Sequence, residues 1–356
     1  MNQKEKEEMR RSHLEARRKR RRRRKIQQII LIIILVLILV AMGFMLIELN
    51  NKQVLNTIAD ESSIDSPEIT PTAEVRPTIE PTPDIAERPM DEPEIIISTD
   101  NLNSSYGYMI RLSNQFVIMD KGGSDRIYPA SMTKLMTLIV AIENLPDLDE
   151  RVILSDEMIR NLYEEGASMA QFVGGENVPA RDLLYGVMLP SGADACVGLA
   201  QKISGSEEAF VEKMNQKAQE LQMTDTHFTT TTGLHDENEY STCKDITKLM
   251  LYSLNNEIFR EILNTKSYTT TATPPHPNGI VFENSLFKQI ADKKLSNGGI
   301  IEGGKTGYTS DSGLCMASLS KIGEEEYLLV TAHADGSPQT EQYNITDAFT
   351  VYNQIK

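Results

Sequence analysis

Tyr128-Pro129-Ala130-Ser131-Met132-Thr133-Lys134-Leu135-Met136-Thr137 is the stretch around which this 356-residue chain is organised. A serine is followed three residues later by a lysine, and the apolar run Leu138-Ile139-Val140-Ala141-Ile142 comes directly behind. The pattern predicts a helix over 131–144 that begins near the serine. Residues three apart on a helix are neighbours, about 5–6 Å between Cβ atoms, so the Lys134 amine is within reach of the Ser131 hydroxyl. A serine hydroxyl is a weak nucleophile until a base takes its proton, and an uncharged lysine is such a base. The spacing alone decides little, since a chain of this length holds on the order of one such pair by chance at average composition.

Working outward, charge divides the chain. Residues 1–25 carry thirteen Lys or Arg against four Glu, a balance of +9; the whole chain is −15, so everything after residue 25 sums to −24. Residues 29–47 are nineteen consecutive apolar or small residues, and about 17–25 suffice to cross a bilayer as a helix. The arginine block at 17–25 abuts this run, so the positive-inside rule keeps the N-terminus cytoplasmic and sends the remainder across the membrane. The apolar run is longer than a cleavable signal core and ends Phe44-Met45-Leu46-Ile47-Glu48-Leu49 without small residues, which predicts an uncleaved anchor. The acidic balance beyond it argues against nucleic acid as a partner.

Residues 48–100 read as an acidic spacer. Seven prolines fall between Pro67 and Pro93 among Glu, Asp, Thr and Ser, a composition that buries too little apolar surface to offset its ordering entropy. The folded part is then one domain over 101–356. Short β-type runs at 106–112 and 115–120 suggest a hairpin, helical patterns follow at 131–144, 181–203, 206–221 and 242–254, and strands return at 314–320 and 327–333 before a closing helix at 340–355. Strands at both ends and helices between them predict an α+β arrangement: an antiparallel sheet whose edge strands come from opposite ends of the domain, flanked by helices, with a helical lobe inserted.

Three cysteines, Cys196, Cys243 and Cys315, are an odd count without metal-knuckle spacing and read as buried small hydrophobes. His227, His235, His276 and His333 show no zinc-helix spacing and read as loop or surface residues. No metal or cofactor is expected.

Two further motifs give the opening pair its context: Leu189-Pro190-Ser191-Gly192-Ala193-Asp194-Ala195 and, downstream, Gly303-Gly304-Lys305-Thr306-Gly307-Tyr308-Thr309. With Asp182-Leu183-Leu184-Tyr185-Gly186, Thr232-Gly233-Leu234-His235 and Tyr240-Ser241-Thr242, they make residues 104–335 resemble the serine-type D-alanyl-D-alanine carboxypeptidases, low-molecular-mass penicillin-binding proteins with the β-lactamase-like transpeptidase fold. The resemblance implies a nucleophile Ser131, a base Lys134, and Ser191 passing a proton to the leaving amine. It implies that Lys305 and Thr306 hold the substrate carboxylate, that Gly307 leaves room for a peptide beside the strand, and that the Ser131 and Tyr308 N–H groups form the oxyanion hole. Burial of Lys134 beside a second cation, Lys305, would depress its pKa as a base requires. The implied substrate is a peptidoglycan stem peptide ending in D-Ala-D-Ala, with β-lactams as covalent inhibitors.

One position departs from the family pattern. The second motif ends in asparagine in the family and in Ala193 here; Asp194 or an ordered water substitutes for the missing amide, or activity is reduced. Forty-nine residues follow Gly307, so the N-terminal span is expected to replace the C-terminal anchor of many relatives. Two other readings stay open: a wall-binding or β-lactam-sensing domain that has lost catalysis with the asparagine, and a β-lactamase, which lacks a Ser-Asp-Asn motif here.

Overall fold

Strand β9 (Glu325–Ala334) is buried on both faces and pairs with neighbours on both sides, which makes it the centre of the main sheet. A computed structural model describes residues 97–291 and 293–356. The expected basic segment 1–28, membrane span 29–47 and nearly all of the spacer 48–100 lie outside the described residues. Among the described residues no helix is long and apolar enough to cross a membrane.

The sheet runs β2-β1-β9-β8-β7, with β1 at Tyr106–Arg111, β2 at Val117–Lys121, β7 at Ile300–Thr309 and β8 at Gly313–Ile322. Every pairing is antiparallel, and the edges come from opposite ends of the domain, as the sequence predicts. Side chains alternate between faces with period two. Ile110, Cys315, Ala317, Leu328 and Val330 face the core shared with the helical lobe. Met109, Met316, Tyr327 and Leu329 face a second core under the closing helix α9 (Tyr343–Tyr352).

The helical lobe is built on α1 (Thr133–Asn144), ten of whose twelve residues are buried. A helix apolar all round belongs inside a domain. Around it pack α3 (Ala180–Met188), α4 (Ala193–Ser204), α5 (Glu207–Glu220), α6 (Cys243–Ser253) and α7 (Glu257–Asn264). Two small hairpins, β3 (Arg151–Ile153) with β4 (Asn177–Pro179) and β5 (Ser267–Thr269) with β6 (Val281–Glu283), and the short helices α2 (Asp156–Glu164) and α8 (Ser285–Ile290) complete the domain.

Two expectations need correction, and one strand was not foreseen. The helix beginning at Ser131 opens with a 3-10 turn, Ala130–Met132, and becomes α-helical only at Thr133. The pattern over 181–203 is two helices, broken between Met188 and Ala193; Pro190 has no N–H to continue the first helix, and Ser191 takes a left-handed φ of 65°. The Lys305-Thr306-Gly307 motif lies ahead of β8 and is itself part of the long edge strand β7, which the sequence patterns did not single out. Its glycines obscure the β pattern: Gly303 packs against the end of α7 and Gly304 against β8, where side chains would collide.

Candidate active site

The site forms where the 3-10 turn meets the outer edge of β7. A Cβ built on Gly307 would lie 3.1 Å from the Ser131 backbone nitrogen and 3.2 Å from Ala130 Cβ, so the strand passes directly over the turn that carries the serine. Lys134 Nζ is 3.3 Å from Ser131 Oγ. It also donates to the Thr232 carbonyl at 2.5 Å. Lys134 is 2% exposed, and burial lowers its pKa, against the opposing pull of Cys196, Glu239, Asp194 and Glu207. Among the described residues no carboxylate forms an ion pair with it, so its proton is held by neutral oxygens.

Lys305 is as deeply buried, at 1% exposure. Burial first, and then the charge on Lys134, push it down to about 7. Its amine donates to the Thr306 carbonyl at 2.7 Å. Thr306 is half-buried, with its hydroxyl 3.4 Å from that of Ser285. Ser131 and Tyr308 are half-buried too, so a row of reachable groups lies above two buried amines.

Ser191 occupies the bend between α3 and α4, both of which pack against α1. Its hydroxyl is buried and has no hydrogen-bond partner among the described residues. A left-handed φ on a residue other than glycine is costly and occurs where surroundings impose it. Ala130, next to Ser131, is likewise left-handed at φ 48°. One strained residue thus precedes the Ser131 hydroxyl and the other carries the Ser191 hydroxyl.

At the missing asparagine, Ala193 is buried and its N–H is bonded to the Ser168 carbonyl at 2.7 Å. Asp194 does not substitute for the amide: Oδ1 accepts from Ala170 N at 2.7 Å and Oδ2 from Phe172 N at 3.1 Å. It clamps the 168–172 loop instead. Cys196, one turn on, is a buried neutral thiol pushed up to about 12 by burial, donating to the Gly192 carbonyl. Cys243 and Cys315 are buried and free as well.

Several positioning groups were not legible as such in the sequence. Three of the four threonines 229–232 are fixed by two carboxylates. Glu239 accepts from Thr133, Thr229 and Thr230, and Glu207 accepts from the N–H and hydroxyl of Thr231. Thr137 donates to the Thr231 carbonyl at 2.6 Å. The net effect is to aim the Thr232 carbonyl at Lys134. Gly233 follows at φ 72°, and a Cβ there would fall 1.9 Å from the Ala130 carbonyl oxygen. A run of threonines ending in glycine was the only sequence signal, and its acidic partners lie well away in the chain. Of the histidines, His235 stacks edge-on against Tyr128 at 4.8 Å, and His276, in the β5–β6 loop, pairs with the buried Glu176 at 2.9 Å.

With a lysine rather than a histidine beside the serine, and a strand edge in front of it, the site has the organisation of the penicillin-binding class of serine peptidases. The chain belongs to the D-alanyl-D-alanine carboxypeptidase family, whose profile matches residues 98–336. It is 31% identical over 233 residues to the D-alanyl-D-alanine carboxypeptidase DacF of Bacillus subtilis, covering 65% of this chain and 57% of that protein. It is 30% identical over 255 residues to a D-alanyl-D-alanine carboxypeptidase of Streptomyces sp. strain K15, covering 69% and 85%. The crystal structure of the Streptomyces K15 DD-transpeptidase superposes with a TM-score of 0.63 at 27% identity, over 72% of this chain and 98% of that one. The chain thus spans little more than half the length of its Bacillus relative.

Proposed function

We propose that the chain is a membrane-anchored serine D,D-carboxypeptidase that removes the terminal D-alanine from peptidoglycan stem peptides and is acylated by β-lactams. The observation that carries this reading is the contact between Ser131 Oγ and a buried lysine amine held only by neutral oxygens. An extended peptide adds to the free edge of β7. Lys305 and Thr306 take its terminal carboxylate, a charge-assisted contact. Lys134 accepts the Ser131 proton as Oγ attacks the penultimate carbonyl, and the Ser131 and Tyr308 N–H groups receive the developing oxyanion. Collapse breaks the C–N bond, and the leaving D-alanine amine takes a proton through Ser191. Water then releases the acyl chain. The run at 29–47 anchors the chain with its N-terminus in the cytoplasm, and the acidic 48–100 segment holds the catalytic domain off the bilayer.

Ala193 together with the unpartnered Ser191 hydroxyl favours a second reading, a β-lactam sensor that acylates without turnover. One experiment separates the two. The protein is incubated with a fluorescent penicillin and, in parallel, with a blocked peptide ending in D-Ala-D-Ala. Labelling lost in Ser131→Ala together with D-alanine release is the expected result. Labelling without release identifies the sensor, and neither overturns the assignment; rapid turnover of the penicillin would indicate a β-lactamase.

A further inference from the structure

A groove of about 790 Å³ opens at the start of β7, the end away from Tyr308. Its walls are α8 with the turn after it and Ile300 to Glu302 of β7, and Phe349 of α9 contributes its ring. Lys266, Lys288, Lys293 and Lys294 line it. Lys288 is paired with Glu283. The other three are exposed and, among the described residues, meet no carboxylate. Lys266 lies over the Phe287 ring at 5.5 Å and Lys293 over Phe349 at 5.9 Å, so aromatic walls hold two ammonium groups at the groove. Ile300, in the same lining, is 58% exposed. The groove therefore suits an acidic ligand that carries apolar side chains beside its charges.

The chain itself enters the fold at the rim of this groove. Ser98 donates its N–H to the Gln354 side chain at 2.7 Å, and that side chain donates back to the Ser98 carbonyl at 3.1 Å. Asn353, the neighbouring residue, accepts from the N–H of Ser296 at 2.7 Å, in the turn that follows Lys293, Lys294 and Leu295 of the lining. Ile97 is buried in the same core as Ile290, Leu295 and Ile301, all of which line the groove. Directly upstream, residues 84–96 carry Asp84, Glu87, Asp91, Glu92 and Glu94 against Arg88 alone, a balance of −4, and end in Ile95-Ile96. At 3.3–3.6 Å per residue, Glu94 reaches about 10 Å and Asp91 about 20 Å from Ile97. Charge, apolar content and reach all match the groove.

We propose that residues 84–96 dock in this groove as an acidic strap, with Asp91, Glu92 and Glu94 meeting Lys266, Lys293 and Lys294 and the Ile95-Ile96 pair covering Ile300. The contact is intramolecular, and a short tether gives such a segment an effective concentration in the millimolar range. A free anion has to compete with that. The strap shortens the spacer, leaving 48–83 as its reach, and fixes the point from which the chain departs. It does not depend on the chemistry at Ser131.

The test treats the full chain, in neutral detergent, with a carbodiimide that joins a carboxylate directly to an amine it touches, and reads the linked peptides by mass spectrometry. An equal mixture of heavy- and light-isotope protein separates links within a chain from links between chains. The expected result is links from Asp91, Glu92 and Glu94 to Lys266, Lys293 and Lys294 within one chain, falling about fivefold or more at about 1 M salt, where charges are screened within about 3 Å. Lys266→Glu/Lys293→Glu/Lys294→Glu abolishes them, and adding Asp91→Lys/Glu92→Lys/Glu94→Lys to that variant restores links between the same positions. Links persist when poly(glycerol phosphate) is added at about 10 μM, well below the effective concentration of the tethered segment. No links, links of similar yield to exposed lysines outside the groove, or no recovery in the charge-swapped variant overturns the proposal. Links formed mainly between heavy and light chains assign the groove to a second copy and overturn it too. Loss of the links on adding the polymer does the same, assigning the groove to a phosphate-rich polyanion.

Discussion

Replacing Ser131 by alanine leaves Lys134 bonded to the Thr232 carbonyl, so the variant is expected to fold normally while losing covalent penicillin labelling. Lys134→Ala removes the base, and acylation is expected to fall by about 10²–10⁴-fold in a stopped-flow assay. Ala193 is a different case. Lys134 is already oriented from the other side by Thr232, and Ala193 is 1% exposed. Ala193→Asn is therefore expected not to accelerate acylation and to cost about 1–3 kcal/mol through overpacking, read as a lowered denaturation midpoint. Faster acylation by that variant would show that the absent amide limits the site. The sequence exposed this position, because a motif with one wrong residue stands out. It did not show that Asp194 was committed elsewhere, since the loop it binds is recognised only through backbone N–H groups.

Among the elements, the segment between α5 and α6 is a scaffold for one carbonyl. Gly233→Ala would drive a Cβ into the Ala130 carbonyl at a φ that disfavours side chains, so a loss of about 3 kcal/mol or more is expected together with loss of acylation. At the far side of the sheet, Asp347 of α9 is fully buried and accepts from the N–H groups of Asn103 and Ser104, the Asn103 amide and the Ser104 hydroxyl. Asp347→Ala strands these donors; about 3 kcal/mol of stability is expected to go, with acylation of the remaining folded protein unchanged. The period-two strands β8 and β9 and the apolar α1 were legible in the sequence because each has a buried face with its own repeat. The break between α3 and α4 was not read as one, since both halves share a helical pattern and only Pro190 marks the interruption. Strand β7 was hidden by glycines whose purpose is close approach to neighbouring elements.

For the molecule as a whole, the two buried amines set a pH dependence. On the proposed roles, acylation needs Lys134 neutral and carboxylate binding needs Lys305 charged. The kcat/KM for a D-Ala-D-Ala peptide is expected to rise as Lys134 loses its proton and to decline as pH passes about 7, the Lys305 value. Lys305→Arg is expected to move the alkaline limb upward, since a guanidinium stays charged. The same burial carries a stability cost. Lys305 has a folded-state pKa below its ordinary 10.5, so between about 7 and 10.5 the unfolded chain binds more protons and stability rises with pH. Lys305→Met is therefore expected to be more stable than the wild type by about 2 kcal/mol at pH 6, with the gap closing by pH 10, as urea denaturation at the two pH values checks.

The sequence by itself singled out Ser131 and Lys134 as candidate nucleophile and base, and it showed the order of the three motifs, the membership they imply and the edge-to-edge logic of the sheet. These depend on local spacing and on patterns repeated along one element. Only the tertiary structure decided that Thr232 holds Lys134, that Asp194 does not replace the missing asparagine, and that the Ser191 hydroxyl is buried without a partner among the described residues. Each of these is a meeting of residues far apart in the chain, and no periodicity records which distant carbonyl or carboxylate a side chain will find when the core closes.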